Sequence, residues 1–212
     1  MNSVCEMVKI NFIHFSKFIL VLVVLFFNNA NAQNNNDSVF NSTAISKIQL
    51  QSIDTNEKFF LNDNQNTKPF TLFVFLSPEC PLCQNYSGVL NNLYKQYHNN
   101  IKMYGIIPGK AYSNEEIKKF KQQYDIQFPL LIDYDKKLTS YLHAVVTPQV
   151  ILLNDEYHLL YKGAIDNWAV SLGKQRVKTT QNFLHDALQQ SLSNETVLVK
   201  RTKAVGCRIN DY

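Results

Sequence analysis

The sequence lacks long apolar runs, carries little net charge and contains few cysteines. Its longest apolar run, residues 18–27, has 10 residues, whereas a helix needs about 20 residues to cross the hydrocarbon core of a membrane. The formal net charge is +4 over 212 residues, which is too small to predict binding to nucleic acid. A chain of this length can bury a core without disulfide staples. Its 4 cysteines are therefore not required as structural staples, and Cys80, Cys83 and Cys207 lie beyond the N-terminal apolar run.

The N-terminus has the pattern of a secretory signal peptide. Lys9 and Lys17 precede the apolar run at 18–27, and Ala30-Asn31-Ala32 follows it. A basic region, a short apolar region and small residues before the cleavage point are typical of such signals. We therefore predict a signal peptide over residues 1–32, cleaved near Ala32. The mature protein would be exported, and it would contact a membrane only through an uncleaved signal segment.

The remainder of the chain is predicted to form one domain with two polar flanks. Residues 33–43 are Asn-rich and lack an apolar period, so they are predicted to be a flexible leader. Residues 44–193 carry the strand and helix patterns of the domain, and residues 194–212 form a C-terminal tail.

Strand and helix patterns alternate through residues 44–193. Apolar residues on either side of the turn at 54–56 predict an N-terminal β-hairpin. Further strands are predicted at 70–76, 101–107, 128–132, 150–153 and 157–161. Helices are predicted after Cys80, after the capping box at Ser113, at 135–142 and after Thr180. This order predicts an α/β protein with the thioredoxin fold, a three-layer α/β/α sandwich around a mixed central sheet.

Cys80 and Cys83 stand between a predicted buried strand and a predicted helix. Unpaired N–H groups at a helix N-terminus favour an anion, and thiolates there have pKa values of about 3.5–7.5 instead of about 8.5. We predict that Cys80 is a nucleophile at the surface. Cys83, one turn further along, would resolve the mixed disulfide that Cys80 forms with a partner. Pro81 suits the first helical turn, where its missing N–H costs nothing.

The cysteine pair has two other interpretations, a zinc site and a purely structural disulfide. Zinc needs about four ligands, and the sequence has no second Cys-x-x-Cys or paired His cluster to complete a site. We therefore predict no metal and no other cofactor. A purely structural disulfide is the second alternative, although so short a spacing closes too small a loop to restrict the unfolded chain much.

Pro148 stands at the entry to the apolar strand predicted at 150–153. A proline there cannot donate a hydrogen bond to a strand ladder. In the predicted topology its loop faces the cysteine pair, and we predict that the Thr147–Pro148 bond is cis.

These motifs resemble those of exported redoxins of the AhpC/TSA and TlpA-like thioredoxin group. The matching segments are Ser77-Pro-Glu-Cys-Pro-Leu-Cys83, Thr147-Pro-Gln-Val150 and Tyr161-Lys-Gly-Ala-Ile-Asp166. The resemblance implies a periplasmic thiol:disulfide oxidoreductase of a Gram-negative cell, in which Thr147 offers its backbone to an extended substrate segment. The implied partners are protein thiol or disulfide clients, such as apocytochrome c, and a membrane thiol reductase or oxidase.

The chain also departs from thioredoxin, which has a Trp before the first cysteine and a buried acid six positions before it. Glu79 and Val74 occupy these positions. Glu79 could act as a base, raise the pKa of Cys80 or be a solvated side chain. Asp166 is predicted to lie near the site, with a simple turn role as the alternative. The direction of electron flow is left open.

Two alternative functions remain at this point. Ser77-Pro-Glu-Cys80 partly resembles the peroxiredoxin Thr-x-x-Cys element, which would make Cys80 the nucleophile of a thiol peroxidase. Against this, Phe73 replaces the expected Pro, and none of the mature chain's arginines is predicted to face the site. The other alternative is a non-catalytic binding module with the same fold.

Cys207 lies in the predicted polar tail, where its neighbours in sequence offer little to bury it. An exposed thiol rarely persists in an oxidising compartment. We therefore predict that it pairs between molecules or exchanges with Cys80 and Cys83 as a third redox cysteine. The alternative is an inert thiol.

Overall fold

The computed structural model describes residues 39–61 and 68–209. They belong to one compact unit, Ser38–Tyr212. The predicted signal peptide at 1–32 and most of the predicted leader lie outside the described residues. Within the described ranges, no helix is long and apolar enough to span a membrane.

A seven-stranded mixed sheet forms the centre of the unit, in the order β2-β1-β5-β4-β3-β7-β8. Its strands are β1 (Gln49–Ser52), β2 (Lys58–Phe60), β3 (Phe70–Phe75), β4 (Ile101–Pro108), β5 (Leu130–Asp133), β7 (Gln149–Asn154) and β8 (Leu159–Gly163). Short pairs outside it are formed by β9 (Ala169–Ser171) with β10 (Lys174–Gln175) and by β6 (Val146–Thr147) with β11 (Cys207–Arg208). The helices are α1 (Ser42–Ser46), α2 (Pro81–Tyr97), α3 (Asn114–Gln123), α4 (Lys137–Tyr141) and α5 (Phe183–Leu192).

The pairing of the strands matches the predicted order. β3, β4 and β5 are parallel neighbours, whereas β7 and β8 pair antiparallel on the other side of β3. The predicted N-terminal hairpin is present, because β1 and β2 pair antiparallel with Leu50 opposite Phe59. The capping box at Ser113 also forms at the start of α3.

Helices cover both faces of the sheet because the side chains of β3 alternate between two clusters. Leu72 and Val74 pack with α2, α3 and α5, while Phe73 and Phe75 pack with α1 and α4. Successive side chains of a strand point to opposite faces, so a strand covered on both faces is apolar throughout. The three-layer α/β/α thioredoxin fold predicted from the sequence is therefore confirmed.

Ordered structure begins earlier than predicted. Asn41 caps α1, and its Oδ1 accepts a hydrogen bond from the N–H of Ala44 at 3.0 Å. The Phe40 ring contacts Tyr141, with ring centroids 5.7 Å apart. The prediction of a flexible leader is thus wrong for residues 39–43, because the asparagine that makes the segment look polar is a helix cap.

The last helix begins later than predicted. Its N-cap is Asn182, and α5 starts at Phe183. Thr180 does not cap the helix. Its backbone N–H donates instead to Asn167 Oδ1 at 3.0 Å, and its hydroxyl accepts from Asn167 Nδ2 at 2.8 Å. Thr180, which was predicted to cap the helix, therefore holds the loop before α5 against Asn167.

The segment after α5 packs back onto the domain. Val197 is buried. The N–H of Lys162 in β8 donates to the carbonyl of Lys200 at 3.0 Å, and the N–H of Thr202 donates to the carbonyl of Lys162 at 3.1 Å. Further along, β11 pairs antiparallel with β6, with Cys207 opposite Thr147. We call residues 197–209 the C-terminal strap.

Candidate active site

The two cysteines of the predicted pair are held by the junction of β3 with α2. Cys80 is the N-cap of α2, with extended backbone at φ −76° and ψ 114°, and Pro81 occupies the first helical turn. Cys83 lies one turn inside the helix. Both cysteines, and Cys207, are unbridged thiols in this structure.

Cys80 is buried, which contradicts the prediction of a surface thiol. Its exposed fraction is 2 %, and that of Cys83 is 0 %. Position at a helix N-terminus would normally leave the first cysteine open to solvent. In this chain the C-terminal strap pairs with Thr147, whose carbonyl accepts a hydrogen bond from Cys80 Sγ at 3.1 Å. The strap therefore lies against the site and closes it.

The surroundings of Cys80 stabilise its thiolate. A hydrogen bond from the Cys83 thiol makes the largest contribution, burial opposes it, and a hydrogen bond from the Cys207 thiol adds to it; together they lower the pKa of Cys80 from 9.0 to about 5. Backbone N–H groups of Cys83 and Cys207 contribute further. Hydrogen bonds to the charged form of a group favour that form. Cys80 is therefore the thiolate of the site at neutral pH, and its hydrogen bond to the Thr147 carbonyl is made only in the thiol form.

Cys83 has the opposite preference. Burial, followed by the hydrogen bond to Cys80 and the negative charge on Cys80, raises the pKa of Cys83 well above its ordinary value. The N–H of Ser77 donates to Cys83 Sγ at 3.4 Å, which offsets part of this effect. The two thiols of the pair thus differ in protonation, with a reactive anion at Cys80 beside a neutral thiol at Cys83.

The Thr147–Pro148 peptide bond is cis, as predicted. The Thr147 side chain is 3 % exposed, and its carbonyl is the acceptor for Cys80 Sγ. Gln149, which the sequence analysis did not single out, is buried and accepts a hydrogen bond from the N–H of Val145 at 2.9 Å through Oε1. This bond closes the loop that carries the proline.

Cys207 joins the cysteine pair from the far end of the chain. It is partly buried and packs against the cluster that contains Cys80 and Cys83. Burial, the hydrogen bond to Cys80 and the charge on Cys80 raise the pKa of Cys207 to about 12. The sequence predicted a poorly buried thiol in a polar tail, whereas the pairing of β11 with β6 partly buries Cys207.

The remaining predicted residues occupy different positions. Glu79 and Pro81 are exposed at the N-terminus of α2. Glu79 is not among the groups that shift the pKa of Cys80. Asp166 is 6 % exposed and accepts a hydrogen bond from Tyr86 Oη at 2.6 Å and another from the N–H of Trp168 at 2.8 Å. Asp166 is thus tied to α2 one turn beyond Cys83.

The bond between Tyr86 and Asp166 is expected to stabilise the position of α2. A hydrogen bond to a charged group contributes about 1.5–3 kcal/mol, so Tyr86→Phe should lower the free energy of unfolding by about that amount. Urea denaturation measures the change. The matched control is Tyr94→Phe on the same helix, which retains the ring contact with Phe128. Equal losses of unfolding free energy in the two variants would show that the hydrogen bond from Tyr86 to Asp166 does not stabilise the fold.

Ser77, the hydroxyl residue of the peroxiredoxin-like element, has a partner at the site, Tyr112, that was not predicted. Ser77 Oγ and Tyr112 Oη are 2.8 Å apart and share a hydrogen bond. Tyr112 lies in the loop between β4 and α3, and the charges of Glu79, Cys207 and Cys80 all contribute to raising its pKa, after burial. Arg208 is on β11 but exposed, unlike its neighbour Cys207. Tyr112 lies in a loop, and no pattern in the sequence marked its position as part of the site.

Solved structures with a similar fold come from several bacteria. A hypothetical protein of Sinorhizobium meliloti is 23 % identical, with 76 % of this chain and 88 % of that chain covered at a TM-score of 0.67. An uncharacterized conserved protein of Geobacillus kaustophilus is 21 % identical, with 78 % and 88 % covered at a TM-score of 0.70. A secreted disulfide oxidoreductase of Mycobacterium tuberculosis, described as homologous to E. coli DsbE, is 13 % identical, with 56 % and 84 % covered at a TM-score of 0.48.

Among curated proteins, none matches this chain. A model of the AhpC/TSA family matches residues 42–167. That range is more than half of the chain, and it includes β3, the cysteine pair, α2 and the cis-proline loop. The chain therefore belongs to the AhpC/TSA family.

Proposed function

We propose that the protein is an exported thiol:disulfide oxidoreductase, in which Cys80 exchanges disulfides with protein thiols and Cys83 resolves the mixed disulfide. The observation that carries this proposal is the arrangement around Cys80. Its sulfur lies at the N-terminus of α2 and faces the carbonyl of Thr147 at 3.1 Å. Hydrogen bonding from Cys83, with a smaller contribution from Cys207, outweighs the effect of burial and lowers the pKa of Cys80 to about 5. A stabilised thiolate with a thiol neighbour is the minimum that exchange requires.

The exchange proceeds in two substitutions at sulfur. The Cys80 thiolate attacks a client disulfide, forms a bond to one client sulfur and releases the other as a thiolate, which takes a proton from water. Cys83 then loses its proton, attacks Cys80 Sγ and releases the second client sulfur. The client gains two electrons, and the Cys80–Cys83 dithiol becomes a disulfide. The same steps in reverse oxidise a client dithiol.

The protonation of Cys83 fits its later role. Its pKa is raised by burial and by the charge and hydrogen bonding of Cys80. Once Cys80 is joined to a client it carries no charge, so only burial still opposes ionisation of Cys83. The second step is therefore favoured only after the first has occurred.

The pattern of residues 1–32 supports export, and we propose the periplasm of a Gram-negative cell as the compartment. Disulfide exchange persists in such oxidising compartments. The proposed partners are protein clients with cysteines, such as apocytochrome c, and a membrane thiol reductase or oxidase that resets the pair.

The proposal is tested by trapping the first intermediate. In a chain that starts at residue 33, the double variant Cys83→Ser/Cys207→Ser retains Cys80 as its single cysteine. We expect the Cys80 thiolate of this variant to attack a disulfide of oxidised insulin, a model protein client, and to hold one insulin chain as a stable mixed disulfide while the other sulfur leaves as a thiol. Non-reducing electrophoresis followed by peptide mass mapping identifies the bond. The control is the triple variant that also carries Cys80→Ser, which should hold none. If the double variant forms no adduct, Cys80 is not an exchange nucleophile.

A thiol peroxidase is the less supported alternative. Such enzymes orient the peroxide with an arginine beside the nucleophile, and the described groups that shift the pKa of Cys80 are cysteines. Arg208 is close in sequence to Cys207, but its side chain is exposed.

A further inference from the structure

Three thiols meet at one point of this fold, and the proposed function uses two of them. Cys80 and Cys83 belong to one buried cluster, and Cys207 packs against that cluster. Cys80 is the central thiol, because both of the others lower its pKa. We propose that Cys207 is a third redox cysteine, which forms a disulfide with Cys80 within the same chain. This inference rests on the proposed role of Cys80 as an exchange nucleophile.

The first argument is the position of Cys207 on β11. It is the register partner of Thr147, and the carbonyl of Thr147 accepts from Cys80 Sγ at 3.1 Å. The pairing continues beyond it, since the N–H of Ile209 donates to the carbonyl of Val145 at 3.1 Å. Cys207 is therefore held by regular strand pairing at the level of Cys80.

The second argument is the close fit of Gly206, the residue before it. A Cβ atom at this position would lie 2.2 Å from the carbonyl oxygen of Thr147 and 3.2 Å from the nitrogen of Pro148. Only glycine allows the backbone to approach the cis-proline loop so closely. This contact fixes how closely β11 approaches the cis-proline loop, and it therefore also fixes the position of Cys207, the next residue.

The third argument is that the strap is anchored along its length. The hydroxyl of Thr202 accepts from the N–H of Ala164 at 2.9 Å. Gly163 provides the space, because a Cβ there would lie 2.6 Å from the carbonyl oxygen of Thr202. Val197 is buried further upstream. The strap is thus part of the folded domain, and Cys207 does not have to be captured from a free tail.

The reaction is a substitution at Cys80. When Cys80 is joined to a client or to Cys83, the Cys207 thiol loses its proton and attacks Cys80 Sγ. A Cys80–Cys207 disulfide forms, the earlier bond of Cys80 breaks, and the departing sulfur takes up a proton. With a client as the departing group, the two electrons that reduce it come from Cys80 and Cys207. With Cys83, the step only moves the disulfide.

The protonation of Cys207 is compatible with this order. Its pKa is raised by burial and also by the hydrogen bond to and the charge on Cys80. A disulfide-bonded Cys80 has no charge, so two of these three causes disappear when attack by Cys207 is needed. While Cys80 is a thiolate, Cys207 remains a hydrogen-bond donor to it.

The test compares how fast a mixed disulfide is resolved in two variants. Oxidised glutathione is the probe. An extended protein client that paired with β6 would have to displace β11 of the strap, whereas a small disulfide can react while the strap stays in place. Cys83→Ser and Cys83→Ser/Cys207→Ser, both starting at residue 33, are mixed with it, and intact mass is followed over time. In the single variant we expect the glutathione adduct to disappear at least about tenfold faster than in the double variant, because the resolving thiol is intramolecular.

The product distinguishes the possible outcomes. The single variant should end as a Cys80–Cys207 disulfide, identified by peptide mapping without reduction. Adducts of equal lifetime in the two variants would overturn the role of Cys207 and leave the proposed function standing. Absence of any adduct in both variants would overturn the nucleophile itself, and the inference with it. Circular dichroism of each variant confirms that the comparison is made between folded proteins.

Discussion

Alkylation of Cys80 is expected to follow a pH profile with its midpoint near 5, since its pKa is lowered to about 5. Only the thiolate reacts. Below the midpoint Cys80 is protonated and slow, and above it the rate reaches a plateau. At pH 7 about 99 % of Cys80 would be thiolate, against about 1 % for a thiol with a pKa of 9, a difference of about 100-fold in reactive species.

The limited access of the reagent to Cys80 lowers the rate of alkylation but does not shift this midpoint. The closed site holds almost all molecules, so its pKa sets the midpoint, while the plateau rate reports how often the site opens to the reagent. Iodoacetamide labelling with peptide mass mapping separates Cys80 from Cys83 and Cys207. The matched variant is Cys83→Ala, which removes the largest contribution and should move the midpoint upward. A midpoint at or above about 8.5 in the wild type would mean that Cys80 is not activated.

Gly206→Ala is expected to release the strap from the active site. The new methyl group would lie 2.2 Å from the carbonyl oxygen of Thr147, a backbone atom that cannot rotate away. Overpacking of this kind costs about 1–3 kcal/mol, so the open state should become about 5- to 150-fold more populated. The plateau rate of Cys80 alkylation should rise by that factor. The midpoint should stay near that of the wild type as long as the closed form, in which Cys207 contributes to the lowered pKa of Cys80, holds most molecules.

The control for this variant is Gly88→Ala. Gly88 lies on α2, and a Cβ there has no atom within 4 Å. Alanine also has the higher helix propensity, so this variant should keep both the midpoint and the plateau of the wild type. If Gly206→Ala behaves like Gly88→Ala, the contact between the strap and the proline loop does not control access to Cys80.

The fold was predictable because its signals are local. The apolar run of β3 and the helical period after Cys80 identify the core elements, and the hydroxyl and carboxylate at Ser113 and Glu116 identify a helix start. Each of these depends on residues close in sequence. The cysteine pair could be placed for the same reason. The cis bond before Pro148 was predictable only once the topology had placed its loop against the cysteine pair.

The burial of Cys80 could not be predicted, because it depends on backbone pairing between β6 and β11. Such pairing leaves no apolar period in a strand of two residues. The requirement for glycine at position 206 becomes visible only when the carbonyl of Thr147 is known to face it. The helix cap at Asn41 was missed because asparagine is equally common in loops.

The strap also has a consequence for how copies of this protein behave together. β8 is the last strand of the seven-stranded sheet, and an open edge strand is a template on which another chain can add itself. Hydrogen bonds between Lys162 and the backbone of Lys200 and Thr202 occupy part of that edge. Detachment of the whole strap would therefore uncover an edge strand that can pair with another chain, at the same time as it uncovers Cys80. One segment thus covers both the reactive sulfur and part of the sheet edge.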